Sequence, residues 1–85
     1  MKITVLYFAS LREAMGRERD ELDVPAEVLT VGALRAWLIA RGAPWDTAFG
    51  DTRRVRAAVN QDMAQDDTAL SPGAEVAFFP PVTGG

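Results

Sequence analysis

The residues best suited to chemistry in this chain stand at its C-terminus, where Gly84-Gly85 follows the run Pro80-Pro81-Val82-Thr83. Glycine has no Cβ, so a Gly-Gly end can pass through an opening that would exclude any other residue. The extended stretch from Pro81 to Gly85 reaches about 17 Å, enough to enter a cleft in another protein. The reactive group on such a tail is its terminal carboxylate. We therefore expect the carboxylate of Gly85 to be the chemical centre, with Gly84 supplying clearance and backbone freedom.

The two prolines define where the tail begins. Proline locks φ and has no N–H for a sheet ladder, so a strand that precedes Pro80 must end there. The same rigidity reduces the entropy that the tail loses on insertion into a partner. A terminal Gly-Gly can also be an inert frayed end, but its place directly behind Pro80-Pro81, without a linker, favours function. We predict one domain over residues 1–80 and an extended, flexible tail over residues 81–85.

The composition excludes several kinds of chemistry. The 85 residues include no Cys and no His, which removes thiolate nucleophiles, the commonest general base and the commonest metal ligands. We expect no metal, no cofactor bound by this chain, and a protein that is acted upon rather than a catalyst. The net charge of −3 and the single basic cluster at residues 53–56 argue against nucleic acid binding. No membrane-length apolar run or cleavable signal is visible, so a cytoplasmic location is expected.

The elements that must position the tail are mostly strands. β-branched and aromatic residues, bounded by turn residues, predict strands over 2–9, 19–24, 54–60, 62–64 and 75–79. The stretch 43–53 contains Pro44 and Gly50 and is predicted to be a loop anchored by Trp45 and Phe49.

Two helices are predicted between these strands. Thr30 is a good N-cap for a helix over 31–41, and Gly42 ends it. A shorter helix follows the Ser10…Glu13 spacing of a capping box and stops at Gly16. The order of the elements predicts an α+β fold of the β-grasp type. It is a mixed sheet of about five strands, with one main helix on one face and a short second helix.

The alternation of residues along the strands predicts an exposed apolar patch. Ile3, Val5 and Tyr7 are expected to face the main helix, which leaves Phe8 on the uncovered face. By the same parity Leu6, Ala77 and Phe79 point outward, and Val76 and Phe78 point inward. Single exposed apolar residues are ordinary, but a patch beside a functional tail suggests a docking surface. We predict that Phe8, Met63 and Phe79 bind partners, with Arg12 as a polar contact at the rim.

Several segments of the chain resemble the small subunit of molybdopterin synthase, and the resemblance covers essentially the whole chain. The most specific is Phe78-Phe79-Pro80-Pro81-Val82-Thr83-Gly84-Gly85 after Glu75-Val76-Ala77. The others are Val5-Leu6-Tyr7-Phe8-Ala9, Leu11-Arg12-Glu13, Thr30-Val31 with Ala33-Leu34-Arg35, and Ala57-Ala58-Val59-Asn60-Gln61. A bare Gly-Gly would also fit a sulfur carrier for thiamine or cysteine synthesis, a ubiquitin-like protein modifier, or an interaction domain with an inert tail.

The resemblance implies a ubiquitin-like sulfur carrier of molybdenum cofactor biosynthesis. An adenylyltransferase related to ubiquitin-activating enzymes would use ATP to join the carboxylate of Gly85 to AMP. Sulfur from a persulfide donor would then replace AMP and leave a thiocarboxylate. The tail, with Pro80, Pro81, Val82 and Thr83, would thread into the large synthase subunit and give its sulfur to cyclic pyranopterin monophosphate. Complexes in this family are typically heterotetramers of two small and two large subunits.

Overall fold

Five strands form a single mixed sheet in the computed structural model, which describes residues 1–50 and 55–81. The order across the sheet is β2-β1-β5-β3-β4, with β1 and β5 parallel and every other neighbouring pair antiparallel. The first and last strands of the chain therefore lie side by side at its centre, and the predicted α+β β-grasp fold is confirmed. The strands are β1 (Lys2–Tyr7), β2 (Arg19–Asp23), β3 (Arg56–Val59), β4 (Asp62–Ala64) and β5 (Glu75–Phe79).

The main helix begins where the sequence predicts. The helices are α1 (Ala9–Met15), α2 (Val31–Ala40) and α3 (Trp45–Ala48). The Thr30 Oγ1 atom accepts a hydrogen bond of 3.2 Å from the N–H of Ala33, which caps α2. Helix α2 ends at Ala40, one residue earlier than predicted, and Gly42 follows with φ 89°. Across residues 1–50 and 55–81, no helix is long and apolar enough to span a membrane.

The predicted capping box at Ser10 is wrong. Helix α1 already begins at Ala9, and Phe8 occupies the N-cap position without any side-chain cap. The backbone N–H groups of Leu11 and Arg12 both donate to the carbonyl oxygen of Phe8, at 3.1 and 3.4 Å. The chain thus turns directly out of the sheet, so Ser10 lies inside the first turn rather than before it. The predicted stop at Gly16 is correct, since this residue adopts φ 73°.

The segment predicted to be a loop around Trp45 contains a third, short helix. The N–H of Phe49 donates to the carbonyl oxygen of Trp45 at 2.9 Å, which closes one helical turn. This turn brings Trp45 and Phe49 to the same side, and both side chains are buried. The two aromatic anchors were predicted correctly, and the helical turn is the means by which both of them reach the core.

The hairpin of β3 and β4 is joined by Asn60 and Gln61, both at positive φ (49° and 72°). Two central residues at positive φ match the right-handed twist of a tight hairpin, and asparagine tolerates this conformation well. The turn predicted at Asn60-Gln61 is therefore confirmed. Strand β3 begins at Arg56, and its predicted first residue, Arg54, lies outside the described residues.

The core lies between the sheet and α2, and the predicted strand parity is confirmed. Ile3, Val5 and Tyr7 are at most 1% exposed, whereas Phe8 is 46% exposed. The ring of Phe49 meets that of Phe78 edge to face, with centroids 5.1 Å apart. The buried side chains that α2 contributes are Val31, Leu34, Arg35 and Leu38.

Arg35 is the one buried charged residue among those described, and its burial was not predicted. Its Nη1 atom donates to Asp66 Oδ1 at 2.5 Å, and its Nη2 atom donates to the carbonyl oxygen of Val55 at 3.1 Å. The guanidinium also lies 5.8 Å from the centre of the Phe78 ring. Arg35 therefore ties α2 to the entry of β3 and to the turn after β4. Helical spacing places position 35 on the same side as Val31, Leu34 and Leu38, but an arginine is ordinarily expected in solvent.

Trp37 has a structural environment that the sequence did not reveal. Its ring is half-buried and packs against the core. The guanidinium of Arg41 lies 4.7 Å from the Trp37 ring centre and 4.8 Å from that of Trp45. This cation–π stack links α2 to α3 and gives Trp37 a structural role.

Tyr7 joins three elements through its hydroxyl group. The hydroxyl donates to Asp20 Oδ2 at 2.8 Å on β2 and accepts a 3.0 Å hydrogen bond from Trp45 Nε1 on α3. Arg17 completes the group, because its Nε atom donates to Asp20 Oδ1 at 2.7 Å. Burial, reinforced by the Asp20 carboxylate, raises the pKa of Tyr7 well above its ordinary value.

This raised pKa predicts a loss of stability at high pH. The folded protein holds the Tyr7 proton more tightly than the unfolded chain does. The stability that this protonated hydroxyl contributes is therefore complete below about pH 10 and declines as the pH rises further. Because Tyr7 is the only tyrosine, tyrosinate absorbance reports it alone, and we expect ionisation to coincide with unfolding. The control Tyr7→Phe should cost about 1 kcal/mol at neutral pH and lack this dependence. Ionisation near pH 10 in an intact fold would contradict the prediction.

Candidate functional site

A continuous row of apolar residues crosses the face of the sheet opposite the core. Cross-strand pairs join Leu6 to Ala77, Ala77 to Ala58, and Ala58 to Met63. Their side chains alternate with the buried positions of β1, β5 and β3, so all of them point away from α2. The row therefore connects the central strand pair to the edge strand β4.

Phe8 and Phe79 lie next to each other at one end of this face. The register pairs Tyr7 with Phe78, so the next position along each strand places Phe8 beside Phe79. Phe8 remains extended (φ −123°, ψ 154°), and its N–H donates to the carbonyl oxygen of Phe78 at 3.1 Å. The Phe79 side chain is half-buried. Two of the three predicted docking residues thus meet where β5 ends and the tail begins.

Met63, the third predicted docking residue, lies further away. It is 69% exposed and belongs to β4, which is separated from β1 by β5 and β3. Three strand spacings correspond to about 14 Å between Leu6 and Met63, and Phe8 lies two residues beyond Leu6. The residues that close this distance are Leu6, Ala77 and Ala58. We call the whole set the docking surface: Leu6, Phe8, Ala58, Met63, Ala77 and Phe79.

The docking surface is larger than the patch predicted from sequence. Leu6 and Ala77 were expected to face outward but were not selected as site residues, and Ala58 was not considered. The alternation of inward and outward residues along β1 and β5 is enough to place Leu6 and Ala77 on the outer face. Ala58 becomes part of the site only through its pairing with Ala77 and Met63, which depends on the register of three strands. Its role in binding, like that of the other members, stays a prediction.

Arg12 lies at the rim of this surface, and its role as a polar contact stays a prediction. It lines a shallow depression of about 200 Å³ beside Phe8 and Leu6. Helix α1 positions it there, because the helix leaves the sheet at Phe8 and returns Arg12 over the end of β1. The remaining residues of the depression are Tyr7, Glu18 and Arg19.

The root of the tail is next to the docking surface. Strand β5 ends at Phe79, and Pro80 and Pro81 are half-buried and outside the strand, as their missing N–H groups require. The predicted tail residues Val82, Thr83, Gly84 and Gly85 lie outside the described residues, so their roles stay predictions. In the described part of the chain, no group of three or more acidic side chains could hold a metal ion.

The fold and this site define a ubiquitin-like β-grasp protein with an apolar docking face beside its C-terminal tail. The profile of the ThiS family matches residues 5–85. The molybdopterin synthase sulfur carrier subunit of Escherichia coli is 47% identical over 83 residues, which cover 98% of this chain and 99% of that protein. The chain therefore belongs to the ThiS family, among the molybdopterin synthase sulfur carrier subunits. The resemblance found from the sequence is confirmed.

Solved structures agree with this assignment. A putative molybdopterin converting factor subunit 1 from Pyrococcus furiosus superposes with a TM-score of 0.77 at 28% identity, covering 96% of this chain and 99% of that one. A chain from the complex of subunits 1 and 2 of molybdopterin-converting factor from Helicobacter pylori gives a TM-score of 0.65 at 21% identity, with both chains fully covered. The second likeness shows the fold alone.

Proposed function

We propose that this chain is the sulfur carrier subunit of molybdopterin synthase. The observation that carries the proposal is its 47% identity to the E. coli sulfur carrier subunit across 98% of the chain. The structure adds a suitable arrangement, in which an exposed apolar face adjoins the root of a Gly-Gly tail. In this role Gly85 supplies the reactive carboxylate, and the acceptor is cyclic pyranopterin monophosphate in the large subunit.

The proposed chemistry begins with activation of the Gly85 carboxylate. A carboxylate is a poor acyl donor, and its reaction with ATP gives an acyl adenylate and releases pyrophosphate. The terminal sulfur of a persulfide attacks the carbonyl carbon, and AMP leaves. A thiol then cleaves the resulting acyl disulfide and is itself oxidised to a disulfide, which leaves the thiocarboxylate on Gly85. ATP and the persulfide are bound by the partners, and this chain contributes only the acyl group.

The docking surface would serve the partners in turn. The adenylyltransferase and the large synthase subunit must each hold the domain while the tail occupies their active site. The side chains of Met63, Phe8 and Phe79 suit such reuse, because flexible and aromatic groups can repack against different surfaces. The H. pylori protein with this fold comes from a complex of subunits 1 and 2 of molybdopterin-converting factor, which supports a large-subunit partner here. We further propose a cytoplasmic heterotetramer of two small and two large subunits.

The proposal is tested by the intact mass of the chain isolated from cells with and without the candidate adenylyltransferase. We expect a shift equal to the replacement of one oxygen by sulfur, mapped to Gly85 and present only with that enzyme. Conjugates joined through Gly85 to lysines of other proteins would instead support a ubiquitin-like modifier. An unshifted mass in cells that make molybdenum cofactor would overturn the proposal.

A carrier for thiamine or cysteine synthesis would give the same mass shift, so a second experiment identifies the acceptor. The thiocarboxylated chain is mixed with the large synthase subunit and cyclic pyranopterin monophosphate. We expect conversion to molybdopterin and return of the chain to the carboxylate mass. Retention of sulfur in this mixture would favour another pathway.

A further inference from the structure

Apart from Lys2, which pairs with Asp23, the charged residues on the outer face of the sheet are sorted by sign along the strands. At the end away from the tail, Thr4 pairs with Glu21 on one side and Glu75 on the other. In the middle row Leu6 pairs with Arg19. At the tail end Arg56 pairs with Phe79. The face therefore changes from acidic to basic as it approaches the root of the tail.

Three arginines surround the apolar residues at this basic end. Arg12 and Arg19 line the depression beside Phe8, and Arg56 lies on the opposite side, next to Phe79. All three are exposed. They form this cluster on a chain whose net charge is −3, so the basic end stands out against an acidic protein.

The neighbouring carboxylates do not neutralise this cluster. Glu18 lines the same depression as Arg12 and Arg19, but among the described residues it forms no ion pair with either of them. Arg19 Nη2 lies 3.6 Å from Glu21 Oε1, but both side chains are more than half exposed, and such pairs are weak. Within residues 1–50 and 55–81, neither Arg12 nor Arg56 takes part in an ion pair. The guanidinium groups are therefore available to a partner.

We propose that the large synthase subunit presents carboxylates opposite Arg12, Arg19 and Arg56, around an apolar centre that covers Phe8 and Phe79. This inference rests on the proposed function and specifies the chemistry of the partner surface. An uncharged or basic surface over these arginines would leave desolvated charges without partners, which opposes binding. The acidic end of the same face disfavours docking in the reversed orientation, so the charge gradient also directs the tail toward the partner's active site.

The first test measures the association rate constant with the large subunit at several salt concentrations. Arg56→Gln should lower this constant about threefold at low salt, and the double variant with Arg19→Gln and Arg56→Gln should lower it about tenfold. Both reductions should disappear in about 0.5 M NaCl. Lys2→Gln is the matched control, because it removes one positive charge at the acidic end of the same sheet. It should change the rate constant less than twofold.

A second test detects the partner's carboxylates directly. Lys2 is the only lysine of the chain, so Arg56→Lys keeps the charge and introduces one new amine at the docking surface. A carbodiimide condenses an amine with a nearby carboxylate, with loss of water, to form an amide. We expect a crosslinked peptide that joins residue 56 to an aspartate or glutamate of the large subunit. The unsubstituted chain can react only through Lys2, its N-terminus and its own carboxylates, which peptide mapping distinguishes.

The outcomes separate this inference from the proposed function. If the unsubstituted chain fails to bind the large subunit at all, the proposed function itself is wrong. A second outcome is that it binds at a rate independent of salt, that Arg56→Gln and Lys2→Gln have the same association rate constant, and that no crosslink forms through residue 56. This outcome would exclude only the acidic partner surface. Thermal unfolding of each variant, expected to match the parent chain, excludes loss of folding as the cause.

Discussion

We expect Gly85→Ala to reduce sulfur transfer by about a hundredfold and to leave the free energy of unfolding unchanged. The added methyl group stands beside the reacting carbonyl, where the partner's channel must admit the tail and align the acyl group. A displacement of about 1 Å of a reacting group can lower a rate on this scale. The folded domain is predicted to lie within residues 1–80, so its stability should not depend on Gly85. Single-turnover formation of molybdopterin from the thiocarboxylated chain measures the effect.

The matched control is Gly50→Ala, which makes the same chemical change within the domain. A Cβ at Gly50 would meet its nearest neighbour, the carbonyl oxygen of Thr47, at an ordinary 3.4 Å, so activity should be retained. Pyrophosphate release by the adenylyltransferase separates a defect in activation from one in transfer. If Gly85→Ala lowered the melting temperature enough to account for its loss of activity, the tail would act through stability, contrary to the proposal.

Phe79→Asp weakens binding to the large subunit about a hundredfold, the second large effect that we expect. Phe79 is half-buried on the outer face, between Phe8 and Arg56. Aromatic residues at the centre of an interface commonly contribute 2 kcal/mol or more, and a carboxylate there would also be desolvated. The isolated domain should stay folded and lose about 1 kcal/mol, because aspartate is a poor strand residue. Calorimetric titration and thermal unfolding measure the two quantities.

Leu29→Asp provides the comparison for Phe79→Asp. Leu29 is 59% exposed and lies just before α2, outside the docking surface. The same type of substitution there should leave binding unchanged within about twofold. An unfolded Phe79→Asp domain would place Phe79 in the core. Unchanged affinity in a folded domain would mean that the docking surface has been assigned to the wrong face.

Local sequence signals determined much of the fold and the type of site. Thr30 and Gly42 bracket α2 because capping and left-handed conformations depend on individual residues. Alternation along β1 and β5 separated Tyr7 and Phe78 from Phe8 and Phe79, since the period of a strand is set by the backbone itself. Pro80 ended the last strand for an equally local reason. The prediction that the Gly85 carboxylate reacts rested on residue type, and it stays a prediction.

The tertiary structure decided which of these residues act together. Ala58 joins the docking surface only because β3 pairs with both β4 and β5 in one register. Arg35 is buried because Asp66 and the Val55 carbonyl, both distant in sequence, satisfy its guanidinium. Arg12, Arg19 and Arg56 form one basic end because β1, which leads into α1, and β5 lie side by side between β2 and β3. Contacts between distant segments depend on strand order and register, and no local propensity or periodicity contains that information.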